Sequence, residues 1–128
     1  MRYALLIYVA PWESTPEEDA EVMAKYNAFS AEAMTADVMR GGEALNEAKT
    51  ATSVRVRDGK TLVTDGPFAE TKEEFGGFYL IEAANLDEAI KWAAKIPGAT
   101  RGTVEVRPVA DMAAAADDEH APAGIAAG

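Results

Sequence analysis

Apolar residues run almost unbroken from Tyr3 to Val9, within the segment Arg2 to Val9. A run without alternation predicts a strand buried on both faces. Thr15-Pro16-Glu17-Glu18 then reads as a helix start, with Thr15 as N-cap, Pro16 in the first helical position and Glu18 closing a capping box. Val22, Tyr26, Phe29 and Ala33 follow at helical spacing, and Met23, Met34 and Val38 widen the stripe. This predicts an amphipathic helix laid on a sheet, ending at Gly41-Gly42. From Glu43 to Thr52 the signal is weak, although Ala44 and Leu45 suit a short strand. Ser53 to Arg57 alternates, Asp58-Gly59-Lys60 is a hairpin turn, and Thr61 to Thr64 is the returning strand. Gly77 to Glu82 is again apolar on both faces. Asn85, with Glu88 three residues on, caps a second helix whose apolar face is Leu86, Ala89, Ile90 and Ala93. Pro97-Gly98 stops it, and Thr103 to Arg107 is the last strand, ended by Pro108. Beyond Ala110 the composition shifts to Ala, Asp, Pro and Gly. The expected division is a folded domain over 1–110 and a disordered tail over 111–128.

The order is strand, helix, hairpin, strand, helix, strand. It predicts an α+β chain of ferredoxin-like βαββαβ type, with both helices on one face of a mostly antiparallel sheet. The strands at 2–9 and 77–82 are apolar on the other face as well. A monomer rarely leaves so large an apolar patch in water. Two such sheets packed face to face about a two-fold axis resolve the conflict, so the patterning predicts a homodimer.

Composition narrows the chemistry. The 128 residues carry 22 acidic and 12 basic side chains, a net charge of −10. That balance disfavours nucleic acid and anionic membranes as partners and suits a cytoplasmic protein. There is no cysteine, which removes disulfides, thiolate catalysis and cysteine-held metals. The single histidine, His120, falls in the expected tail, so neither a histidine metal site nor a Ser-His triad is expected in the core. No metal and no cofactor are expected. The opening apolar run is too short for a membrane span and lacks a signal-peptide pattern.

Candidate chemistry gathers between Thr64 and Leu80. Asp65 stands before Gly66-Pro67 at a strand end. It reads either as a general base or polar anchor, if burial shifts its pKa, or as an Asx-turn residue pinning the turn. Lys72 is a cation among acids and, with Glu70 and Glu73, forms either a charged rim for a ligand or a solvated cluster. Phe68 either plugs the core or stacks on a ligand. Gly66, Gly76 and Gly77 read as backbone geometry, with ligand approach secondary. Tyr8, Tyr26 and Tyr79 can offer hydroxyls to a cavity, and Arg107 can bind a carboxylate. Trp12 reads as a staple onto the first helix or a lid over a pocket. The candidate set is Asp65 as catalytic residue, with Gly66, Pro67, Phe68, Lys72, Glu73, Tyr8 and Arg107 as ligand-binding residues.

Several segments together resemble the YciI-like family and its DGPF subgroup. They are Asp65-Gly66-Pro67-Phe68-Ala69-Glu70-Thr71-Lys72-Glu73, Gly76-Gly77-Phe78-Tyr79, Leu86-Asp87-Glu88-Ala89, the stretch Gly102 to Val109, and the opening Tyr3 to Tyr8. The resemblance spans about residues 1–110 and implies a dimeric α+β barrel. Some relatives carry a His/Asp pair suited to acid–base chemistry, whereas this chain has no histidine in the matching region. DGPF members are often associated with bacterial sigma factors. Two functions are therefore expected as alternatives. The first is binding of a small organic molecule in a barrel pocket, with cofactor-free acid–base catalysis of isomerase, lyase or hydrolase type. The second is a ligand-sensing or partner-binding module linked to a sigma factor.

Overall fold

The computed structural model describes residues 1–112. The tail expected from Ala113 onward, with His120, lies outside the described residues. Among the described residues six strands and two helices follow in the order β1 (Arg2–Val9), α1 (Pro16–Thr35), β2 (Met39–Ala44), β3 (Thr52–Arg57), β4 (Lys60–Asp65), β5 (Glu74–Glu82), α2 (Leu86–Ala94) and β6 (Thr103–Pro108). Single 3-10 turns occupy Ala48–Thr50 and Pro97–Thr100. Four strands form one antiparallel sheet in the order β2-β5-β1-β6, and β3 pairs only with β4. This α+β arrangement is compatible with a ferredoxin-like fold.

The capping signals act as read. Thr15 Oγ1 accepts the Glu18 N–H at 3.1 Å, and Asn85 Oδ1 accepts the Glu88 N–H at 3.0 Å, satisfying donors that a helix start leaves unpaired. The end of α1 differs from expectation. It stops at Thr35, ahead of Gly41-Gly42. The Asp37 N–H donates to Met34 O and the Val38 N–H to Ala33 O, each at 3.0 Å, closing a Schellman turn. Asp37 takes the left-handed position at φ 57° that glycine usually fills. Asp tolerates it at modest cost, so the stop signal was present in a less familiar residue.

Gly41 and Gly42 lie inside β2 instead. A Cβ on Gly42 would meet Phe78 O at 2.6 Å and Tyr79 Cδ1 at 2.9 Å. Gly77 on β5 is equally confined, with Glu43 O 2.8 Å from where its Cβ would sit. The β2–β5 contact thus needs missing side chains on both strands. This also revises the expected topology. The edge position of the main sheet belongs to β2, which the sequence signalled weakly, and the clearly legible β3–β4 hairpin is an appendage outside it.

Both helices cover one face of the sheet. Tyr3, Leu5 and Ile7 of β1 and Ile81 of β5 pack there with Phe29, Ala89, Ala93 and Ile96, and Ala33 of α1 is also fully buried. The Phe29 ring lies 4.8 Å from that of Tyr79 and 6.2 Å from that of Trp92. Large apolar side chains such as Leu5, Phe29, Ile81 and Ile96 each contribute about 1.5–3 kcal/mol when fully buried. On the opposite face Ala4, Leu6, Tyr8, Phe78 and Leu80 are only half-buried, and among the described residues no helix covers them.

The confined glycines give a paired test. Gly77→Ala should lower stability by about 1–3 kcal/mol, because backbone rather than a flexible side chain opposes the new methyl. Gly76→Ala meets nothing within 4 Å and should change it by less than about 0.5 kcal/mol. Thermal denaturation of the two variants checks the contrast; equal melting temperatures would refute the close-approach reading.

Candidate functional site

A β-bulge builds the site. Along β1 and β5 the register runs Leu6↔Phe78 and Ile7↔Gly77, then slips to Tyr8↔Phe75. Gly76 is the extra residue. In an unbroken ladder, strand alternation would aim Phe75 to the helix side, with Gly77 and Tyr79. The slip turns Phe75 to the bare face beside Tyr8, and the two rings stand 5.5 Å apart, tilted by 44°.

The segment after β4 forms a wall over this pair. Gly66, at φ 98°, makes the turn; its N–H donates to Ala51 O at 2.7 Å, and its carbonyl accepts from Ser53 Oγ at 2.8 Å. A Cβ would find free space here, so it is the positive φ that calls for glycine. Pro67 leads the chain away, and Phe68 follows with 81% of its surface exposed. Farther on, both carboxylate oxygens of Glu73 accept from Thr103 Oγ1, at 3.1 and 3.3 Å, and tie the segment to the start of β6. Between this wall and the 45–51 segment lies a cleft of about 830 Å³. Tyr8 and Phe75 line it with Leu45, Pro67 and Phe68, and Ser53 and Glu70 add polar groups. An apolar aromatic lining with a few polar groups suits a small, partly apolar ligand.

The structure brings some of the expected residues together and separates others. Tyr8, Pro67 and Phe68 share the cleft, with Gly66 as the turn that begins its wall. Asp65 is exposed at the end of β4, outside the cleft lining. Its carboxylate has no hydrogen-bond or ion-pair partner among the described residues, so the Asx-turn that would pin Gly66 is not formed; the Ala51 and Ser53 contacts do that work. Lys72 is exposed and unpaired among the described residues, also outside the lining. Glu73 is committed to Thr103. Arg107 lies on β6, with its Nε 3.2 Å from Glu105 Oε1, and the Tyr8 hydroxyl donates to that same oxygen at 3.4 Å. Tyr8, Glu105 and Arg107 therefore form one polar link across the bare face. Phe75 and Leu45 escaped the sequence reading. For Phe75 the signal was the Gly76-Gly77 pair, which marks a bulge as well as close packing. Among the described residues no group of three or more His, Asp or Glu side chains is placed to hold a metal ion, and no helix is long and apolar enough to cross a membrane.

The helix side holds a second cleft, of about 670 Å³, beside α1. Trp12 lines it, 41% exposed, with the Arg101 guanidinium 3.3 Å from its ring centroid. That stacked cation is what steadies the loop before α1. Tyr26 lines the same cleft, half-buried; its phenol is raised above the usual tyrosine value by burial, partly offset by a hydrogen bond with the Gly98 backbone. A raised phenol means stability that is complete below the unfolded value near pH 10 and lost as pH rises through the folded value. Tyr26→Phe should therefore lessen the alkaline loss of stability above about pH 10, measured by denaturation across pH 8–11. An unchanged alkaline limb would rule out Tyr26 as its source.

Comparison with known families matches residues 1–113 to the YCII-related domain. An uncharacterized protein of Rhizobium meliloti (strain 1021) is 39% identical over 117 residues, covering 86% of this chain and 93% of that protein. The chain belongs to the YCII-related domain family.

Proposed function

We propose that this YCII-related protein binds a small, partly apolar organic molecule in the cleft under the Pro67–Phe68 wall, as a cytoplasmic homodimer. The carrying observation is Phe68, a large aromatic side chain held 81% exposed at a cleft already lined by Tyr8 and Phe75. A free aromatic face in that position gains by stacking on a ligand. The bare sheet face supports the homodimer, because packing two such faces together removes Leu6, Phe78 and Leu80 from water. The finished assembly is then a dimeric α+β barrel. The Asp65-Gly66-Pro67-Phe68 run supports placement in the DGPF subgroup.

Asp65 is assigned proton transfer to or from the bound molecule, in a cofactor-free isomerase, lyase or hydrolase reaction. Its place one residue before the turn at Gly66, where the cleft wall begins, supports this. The Tyr8 hydroxyl is a fixed polar group in the cleft, already oriented by Glu105. Gly66 and Pro67 shape the wall, Lys72 and Glu73 supply charge beside it, and Arg107 offers a cation on the bare face once freed from Glu105.

Native mass spectrometry of undenatured protein and a thermal-shift screen of small aromatic acids and lactones test this reading. The expected result is a dimer stabilised by one class of compound, with Phe68→Ala weakening that binding about tenfold. Asp65→Asn should keep the binding and abolish any turnover of the stabilising compound. An empty dimer indifferent to every compound would overturn the small-molecule reading and favour a partner-binding role, for which a sigma factor is the first candidate to pull down.

A further inference from the structure

We infer that the helix-side cleft is a second binding site, and that its ligand is an aromatic carboxylic acid whose carboxylate is held by Arg101. The cleft runs between one flank of α1 and the turn at Pro97–Thr100, on the side of the sheet away from Tyr8 and Phe75. It therefore stands apart from the cleft under the Pro67–Phe68 wall and does not depend on the pairing of two sheet faces. Val9, Val22, Tyr26 and Pro97 give it an apolar lining, and its volume of about 670 Å³ lies within the range of small-molecule sites. The turn is a fixed base. A Cβ on Gly98 would meet Ile7 Cγ2 at 2.7 Å and the Tyr26 hydroxyl at 3.0 Å, so the turn is packed closely against β1 and α1. Thr100 Oγ1 donates to Pro97 O at 2.8 Å, and the Arg101 backbone N–H donates to Gly98 O at 3.2 Å. The Arg101 side chain thus springs from a turn held by its own hydrogen bonds and by packing.

Arg101 is prepared for an anion. Its guanidinium carbon lies 3.3 Å from the Trp12 ring centroid, a distance that only a face-to-face stack allows. Stacking uses the face of the guanidinium and leaves the N–H groups along its edge, where a carboxylate can accept two of them. Those N–H groups have no hydrogen-bond or ion-pair partner among the described residues. The other two cations of the lining are engaged. Lys25 Nζ lies 3.7 Å from Glu21 Oε1, and Lys95 Nζ lies 2.5 Å from Glu32 Oε1. Glu18, the remaining acid of the lining, accepts from Thr15 Oγ1 at 3.2 Å. Among the described residues Arg101 is therefore the one cation of this cleft whose charge is open. An apolar cavity beside an unpaired, pre-oriented guanidinium fits a flat ring that bears a carboxylate. An uncharged ring would use the cavity and leave the cation idle, and an inorganic anion would do the reverse.

Calorimetric titration of the full-length chain with benzoate, and with benzyl alcohol as an uncharged ring of similar size, tests the site. The expected result is that benzoate binds about tenfold more tightly than benzyl alcohol. Arg101→Gln should weaken benzoate about tenfold and leave benzyl alcohol unchanged. Arg101→Lys, which keeps the charge without the fork, should fall between the two. Phe68→Ala should leave both affinities at the parent value, since that residue belongs to the other cleft. Benzoate that fails to bind, or binds no more tightly than benzyl alcohol, overturns the proposal. So does an Arg101→Gln variant that binds benzoate like the parent, or one that loses both probes alike, because Arg101 then only steadies Trp12. Loss of benzoate binding in Phe68→Ala also overturns it and moves the acid to the cleft under the Pro67–Phe68 wall.

Discussion

The pairing of β1 with β5 is the constraint on which the rest of this protein depends. These are the central strands of the sheet, and their register decides which side chains meet the helices. One residue of slip in β1 would exchange its two faces, putting Leu6 under α1 and Leu5 outside. The chain holds the register along most of the ladder and then breaks it once, at Gly76. That single irregularity leaves the core intact and moves Phe75 to the bare face, where the cleft forms. The fold and the candidate site are thus two consequences of one ladder, the first of its regular part and the second of its bulge.

Those parts of the fold governed by local rules were legible in the sequence. Thr15 and Asn85 announce the two helix starts through hydrogen bonds made within three residues, and β1 and β5 announce themselves by length and apolar content. Parts governed by tertiary contact were not. Gly41-Gly42 looks like a helix stop because glycine often serves as one. Here Gly42 is required by Phe78 and Tyr79, some thirty-five residues away in sequence, and the helix is stopped earlier by Asp37. The hairpin shows the opposite error. Its alternation and turn are the plainest β signal in the chain, yet alternation says only that two strands pair, and leaves open whether the pair joins the sheet.

The candidate site divides along the same line. Tyr8, Pro67 and Phe68 meet in the cleft, and each was singled out from residue type and position. Lys72 and Arg107 were singled out for their charge, and charge alone does not place a side chain. Arg107 sits on the far edge strand held by Glu105, and Lys72 stands clear of the cleft. Glu73 proves to be a fastener, since its two oxygens share the hydroxyl of Thr103 and fix the wall against β6. What was missing from the sequence reading was the facing of Phe75, because a bulge changes facing without changing composition.

Asp65 brings these strands of argument together. A carboxylate works as a base near neutral pH only where water is kept from it, since solvation favours its charged, weakly basic form. In a single copy Asp65 is exposed, at the junction of the hairpin and the wall. Nothing else among the described residues of that copy is positioned to desolvate it. Proton transfer at Asp65 would therefore need a further group laid over the end of β4. The paired partner of Asp65 across the ladder is Thr52, on the same face as Val54 and Val63. Whatever covers those valines approaches the carboxylate too. A catalytic role for Asp65 therefore requires that this strand face be covered.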